Sequence, residues 1–164
     1  MLLHAGADIH KRPYVWHLVV FWGNKAIENI KTRGDMYGHK RPDEEINKEI
    51  GMYVQDTNRL LKLFLQNNAN PDKKGNLYPY HLPQTLNMTD EEAEKYFEQG
   101  TRAINEAIKK GIMWESQVDL LLQYTKLDEE SLNAVQESND PLMLDKIRRL
   151  WDLQKNMSNE CDTP

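Results

Sequence analysis

Five histidines, one cysteine and two acidic triplets are the side chains here best suited to bind a metal or move a proton. The histidines are His4, His10, His17, His39 and His81, the cysteine is Cys161, and the triplets are Asp90-Glu91-Glu92 and Asp128-Glu129-Glu130. A zinc site needs three or four ligands converging on one point. No H-x-x-x-H or H-E-x-x-H spacing occurs, and the cysteine lies in a polar tail. Paired carboxylates can share general acid and base work. Both triplets, however, open stretches of helical periodicity, where the positive end of the helix dipole favours acids. Capping is therefore their expected role. The eight glycines are scattered, so no loop cradles a phosphate, and no Ser/His/Asp or Cys/His arrangement has local support. The chain reads as a non-enzyme, with no catalytic residue, metal or cofactor expected.

Charge is the second chemistry. Residues 1–83 carry 12 Lys/Arg against 9 Asp/Glu, and residues 84–140 carry 5 against 13. The tetrapeptide HKRP occurs twice, as His10-Lys11-Arg12-Pro13 and as His39-Lys40-Arg41-Pro42, 29 residues apart. Proline restricts the residue before it to extended backbone, so each copy reads as punctuation as well as a basic patch. Net charge is −5 and the isoelectric point about 5.6, which disfavours nucleic acid as a partner.

Composition bounds the rest. The 164 residues suffice for one domain, and a mean hydropathy of −0.79 suits an elongated helical protein with much surface. One cysteine permits no disulfide framework, so a reducing, cytoplasmic setting is expected. The longest apolar run, Leu18 to Trp22, is far short of a membrane span.

The elements that would position these groups repeat. Tyr14-Val-Trp-His-Leu18 is echoed 64 residues later by Tyr78-Pro-Tyr-His-Leu82, and Gly6-Ala-Asp-Ile-His10 is echoed 62 residues later by Asn68-Ala-Asn-Pro-Asp72. Two periods of about 32 residues are the mark of a stacked repeat. Gly6, Gly34 and Asn68 suit the left-handed position after a helix. Pro79 suits the first position of the helix that follows, and Pro83 would break that helix, leaving Gln84–Met88 to loop out. A helix is expected to begin at Pro42-Asp43. Thr89-Asp-Glu-Glu92 reads as a capping box, and Asp140-Pro141 as an N-cap with proline at the first helical position.

At these residues the chain resembles the ankyrin repeat. Tyr14 to Asn24 matches a first helix and its turn, Leu60 to Asp72 a second helix and the finger that follows, and Gly75 to Leu82 the next opening. Thr101 to Gly111, with Asn105 where the histidine of the pattern would stand, reads as a further first helix, and Val118 to Gln123 as its partner. Ser131 to Asp140 and Leu142 to Leu153 read as the last pair, with Trp151 part of a C-terminal cap. Met1 to Gly6 reads as the tail of a second helix, as if the chain began inside a unit. The resemblance implies an all-α, ankyrin-like solenoid of about five stacked helix pairs with short finger loops, irregular around 36–50 and 83–89. One repeat domain would cover 1–157, with clearer repeats over 2–83, degenerate ones over 84–154, and a disordered tail at 158–164. His17 and His81 would be structural.

The resemblance further implies a binding module that contacts a protein partner through its concave face. The residues expected there are the fingertip cations His10, Lys11, Arg12, His39, Lys40, Arg41, Lys73 and Lys74, with the aromatics Trp16, Trp22, Tyr78 and Tyr80. Such a row of cations would steer an acidic partner surface. A small array of this kind suits an inhibitor, such as an immunity protein that blocks a toxin. An adaptor or effector docking domain, and nucleic-acid binding through the fingertips, are the alternatives. A monomer is expected.

Overall fold

A computed structural model describes residues 19–20, 22–75 and 88–160. Among them the protein is all-α: seven α-helices, one 3-10 turn and no strand. The helices are α1 (Gly23–Thr32), α2 (Asp43–Gln66), α3 (Asp90–Glu98), α4 (Ala103–Lys109), α5 (Glu115–Leu122), α6 (Glu129–Ser138) and α7 (Pro141–Glu160), with the 3-10 turn at Ile112–Trp114. No described helix is long and apolar enough to cross a membrane.

The second half is built from two successive helix pairs. α4 packs against α5 and also against α6, and α6 packs against α7. The short α4 is the keystone, with Ala103, Ile104, Ala107 and Ile108 all fully buried. Full burial of these four is possible because alanine at two of them lets neighbouring helices approach closely. α5 and α7 are tied by Lys146, which pairs with Glu115 at 2.8 Å and Asp119 at 2.7 Å.

In the first half α2 departs from expectation. The helix does begin at Asp43, but residues 43–50, read as irregular, form its first turns, and it runs unbroken for 24 residues into the stretch read as a separate second helix. Its buried positions, Ile46, Ile50, Leu61 and Leu65, keep a helical spacing throughout, and no proline interrupts them. Its two halves serve different cores. Ile46 and Ile50 meet Ile27, Ile30 and Trp114, while Leu61 and Leu65 join the main core with Ile104, Ile108, Leu121 and Ile147.

The expected caps mostly form. Asn68, at φ 66°, is the left-handed residue after α2. The Ala69 N–H donates to the Phe64 carbonyl and the Asn68 N–H to the Leu65 carbonyl, both at 3.1 Å, which closes the helix end as a Schellman motif. The Thr89–Glu92 capping box is complete. Asp140 accepts from Leu142 and Met143 N–H groups at the start of α7. Gly34 differs: the left-handed glycine of its loop is Gly38, at φ 82°. Gly34 is needed instead for close approach, since a Cβ there would lie 3.0 Å from the Gly38 backbone. The turn before α1 falls at Trp22, so Gly23 and Asn24, read as the turn itself, already belong to the helix. α7 also continues to Glu160, three residues beyond the expected domain end at 157. The expectations for Gly6, Pro79, Pro83 and the two Y-x-x-H-L segments fall outside the described residues.

Because Asn68 holds a left-handed backbone that closes α2, Asn68→Gly should leave stability unchanged or slightly raised. Asn68→Val should cost about 1–2 kcal/mol, the penalty of that conformation for a side chain branched at Cβ. Urea unfolding of the two variants measures the difference.

Candidate functional site

The loop between α1 and α2 is organised by its own first acid. The Asp35 carboxylate accepts the backbone N–H of Tyr37 and of His39, each at 2.8 Å, and the Asp35 N–H donates to the His39 carbonyl at 2.9 Å. The N–H of His39 foremost, with those of Tyr37 and Gly38, holds the Asp35 carboxyl below its usual range against the opposing effect of burial. The result is a pinned loop whose apolar tip faces water: Met36 is 88% exposed and Tyr37 76%. The Tyr37 and His39 rings lie 6.4 Å apart.

The second HKRP copy lies at the end of this loop, and its four residues separate. His39 faces Asp35 at 3.4 Å and Lys40 faces Asp43 at 3.6 Å, both from exposed positions. Arg41 is no fingertip. It is 7% exposed and its guanidinium turns back onto α2, meeting Glu49 at 2.6 Å and Glu45 at 3.1 Å. Arg33 shares Glu49 at 2.7 Å. The acids four and eight residues along a helix lie on one face, so an arginine just before the helix reaches both. Arg41, expected among the partner contacts, serves here as an internal clamp. Pro42 stands at the N-cap position with extended backbone, the punctuation expected of it.

The next finger, 68–75, is likewise drawn inward. Lys74 pairs with Glu130 at 2.7 Å on α6. Asp72 accepts from Arg102 at 2.9 Å. Gly75 and Thr101 exchange backbone hydrogen bonds at 2.9 and 3.0 Å, an isolated bridge joining two fingers. Arg102 is the centre of this region. It is 7% exposed and donates to Asp72, the Thr125 hydroxyl and the Lys126 carbonyl from one nitrogen, and to Asp128 (2.7 Å) and Ser131 from the other. Thr125 also donates to Asp72. Ser131 donates to Asn105 Oδ1 at 2.8 Å, so the residue in the histidine position of the pattern bonds the neighbouring helix pair. Burial pushes the Asp128 carboxyl up, but the Ser131 backbone and hydroxyl and the Arg102 charge outweigh it and leave it below its usual value.

The acidic triplets serve helix ends. Asp128 is the N-cap of α6, in a reciprocal pair with Ser131, and Glu92 completes the cap of α3. Among the described residues no three His, Cys, Asp or Glu side chains gather as a metal would require. An open groove of about 340 Å³ lies between α2 and α5, lined by Gln55, Asn58, Arg59, Lys62, Ser116 and Leu120. Its lining contains two cations and no nucleophile–base pair.

Of the twelve residues expected to contact a partner, His10, Lys11, Arg12, Trp16, Tyr78 and Tyr80 lie outside the described residues. Trp22 is 46% exposed, as anticipated for one of the aromatics. His39, Lys40, Arg41 and Lys74 each have an acidic neighbour within the chain, so this part of the row is not a strip of free charge. Sequence reasoning takes the 36–42 finger as part of the binding face but singles out neither Met36 nor Tyr37, although two apolar residues between Gly34-Asp35 and Gly38 are a signal that a turn holds them out. It also missed Arg102, whose partners lie 23 to 30 residues away and leave no local trace.

Arg102→Met should remove charged hydrogen bonds at once and cost about 1.5–3 kcal/mol, because the carboxylates it leaves can still reach water. Arg102→Lys should recover only part, since one ammonium cannot span both Asp72 and Asp128. Chemical denaturation of the pair tests this. No family model matches the chain, and neither a curated protein nor a solved structure is similar enough to it to count as a relative.

Proposed function

We propose that this protein is a non-enzymatic protein-interaction module, an ankyrin-like array that presents the α1–α2 loop to a protein partner. The observation that carries the reading is the loop 34–42. Its backbone is held by Asp35 and its end by Arg41, yet Met36 and Tyr37 stand in water. A rigid loop loses little entropy on binding. Tyrosine is a frequent interface anchor, and methionine adapts to an irregular apolar surface. Met36 and Tyr37 are the two most exposed of the large apolar side chains among the described residues, and they are adjacent. Trp22 and the exposed Lys40 extend the same contact chemistry.

The stacked pairs α4–α5 and α6–α7 support the ankyrin-like arrangement, with α2 as a lengthened member of an irregular first half. A small array offering a pre-shaped loop suits an inhibitor that occupies a partner's cleft, as an immunity protein does with a toxin. Adaptor and docking roles use the same surface. Nucleic-acid binding draws less support, because His39, Lys40, Arg41 and Lys74 of the row have acidic neighbours.

Affinity capture with tagged protein, followed by purification of the captured protein and calorimetric titration, tests the proposal. Replacing Met36 and Tyr37 together by alanine should weaken the complex by about tenfold or more while leaving the melting temperature unchanged. A complex that tolerates the double substitution within about twofold, or capture that never yields a saturable partner, overturns the reading.

A further inference from the structure

Lys110 closes α4, where a cation would normally complement the carbonyl end of the helix. Its amine turns inward instead. The Nζ is sealed from water and has no hydrogen-bond acceptor among the described residues. It lies 4.3 Å from the centre of the fully buried Trp114 ring. On its other side is Gly23, the first residue of α1. A Cβ on that glycine would come within 2.9 Å of the amine and 2.3 Å of the indole. Asn24 accepts the Trp114 indole N–H at 3.1 Å. The first turn of α1 thus docks directly over Trp114 and traps the lysine beside the positive, N-terminal end of the α1 dipole.

We infer that the docking of α1 is controlled by a proton on Lys110: α1 seats on a neutral amine and is loosened when the amine is charged. The indole face favours a cation, but an ammonium with no acceptor and no water pays the full desolvation cost. Glu106, one helical turn earlier, opposes this only in part, because its own carboxylate is pushed up by burial and is engaged with Lys109 at 3.7 Å. Desolvation prevails, and the Lys110 amine is lowered from 10.5 to about 7. The other ionisable groups around it are committed elsewhere. Lys109 reaches Glu137 at 2.9 Å, Asp140 accepts the Ile112 N–H at 2.8 Å, and Tyr53 meets the Trp114 ring edge-on.

The sign follows from linkage. Undocked, the amine is in water and titrates near 10.5; docked, it titrates near 7. Between those values the undocked state holds more protons, so docking strengthens as pH rises, by up to about tenfold per pH unit. Below about 7 both states are charged, and docking is weakest and constant. The inference is independent of the partner-binding reading and stands or falls without a partner.

Hydrogen exchange on the whole chain from pH 6 to pH 9 tests it, with protection factors corrected for intrinsic exchange. Amides within α1 should gain protection by up to about tenfold per unit above pH 7 and stay level below it. Amides of α6 should change less. Lys110→Met, of similar length and uncharged, should abolish the slope and leave α1 highly protected throughout. Four outcomes overturn the inference: a flat wild-type profile, a slope that survives in Lys110→Met, equal slopes in α1 and α6, or protection that falls with rising pH. The last has the sign of a buried carboxyl and would be assigned to Glu106 if Glu106→Gln removed it.

Discussion

A buried guanidinium holds the middle of this molecule in place. Arg102 stands at the N-cap of α4, beside the ends of two helices whose dipoles repel a cation. Its burial is tolerable because the Asp72 and Asp128 carboxylates reach in from the solvent side and because Thr125, Lys126 and Ser131 take further bonds from its two terminal nitrogens, leaving only Nε without a partner. The same contacts bring the 68–75 finger, the 125–128 loop and the start of α6 to one point. Asp128 has a double duty, capping α6 while neutralising Arg102. The register of the two helix pairs is therefore set electrostatically at one edge, while Ile104 and Ile108 set it by packing within.

Much of the chain's charge is used internally in this way. The sequence is basic at first and acidic through its middle, a pattern that invites thoughts of an external partner. In the fold, Lys74 meets Glu130 and Arg102 meets Asp72 across the boundary between the two regions. Lys109 and Lys146 then reach acids on neighbouring helices. The polarity is partly self-complementary, and it helps orient one half on the other.

Local grammar was readable and distance was not. The left-handed Asn68, the Thr89 box, the Asp128 and Asp140 caps and the helix start at Asp43 all depend on residues within four positions of one another, and all appear as expected. Asn105 stands where the pattern has a histidine, and its carbonyl accepts from the Ser131 hydroxyl of α6. The length of α2 was misread because a repeat pattern imposed a boundary that no glycine–proline pair enforces. The inward turn of Arg41 is not legible, because periodicity locates a residue on a loop but does not say that acids on the following helix will draw it back. Lys110 gave no signal, since its burial depends on α1 arriving from 87 residues away at Gly23.

The continuity of α2 has a mechanical consequence. A helix of 24 residues is a strut roughly 36 Å long. The loop that bears Met36 and Tyr37 joins one end of it, and the finger anchored through Asp72 joins the other. Two shorter helices with a hinge would let those ends wander independently. A single strut converts them into a gauge of fixed span. A surface that engages both must match a length as well as a chemistry, and one that matches only one end gains nothing from the other.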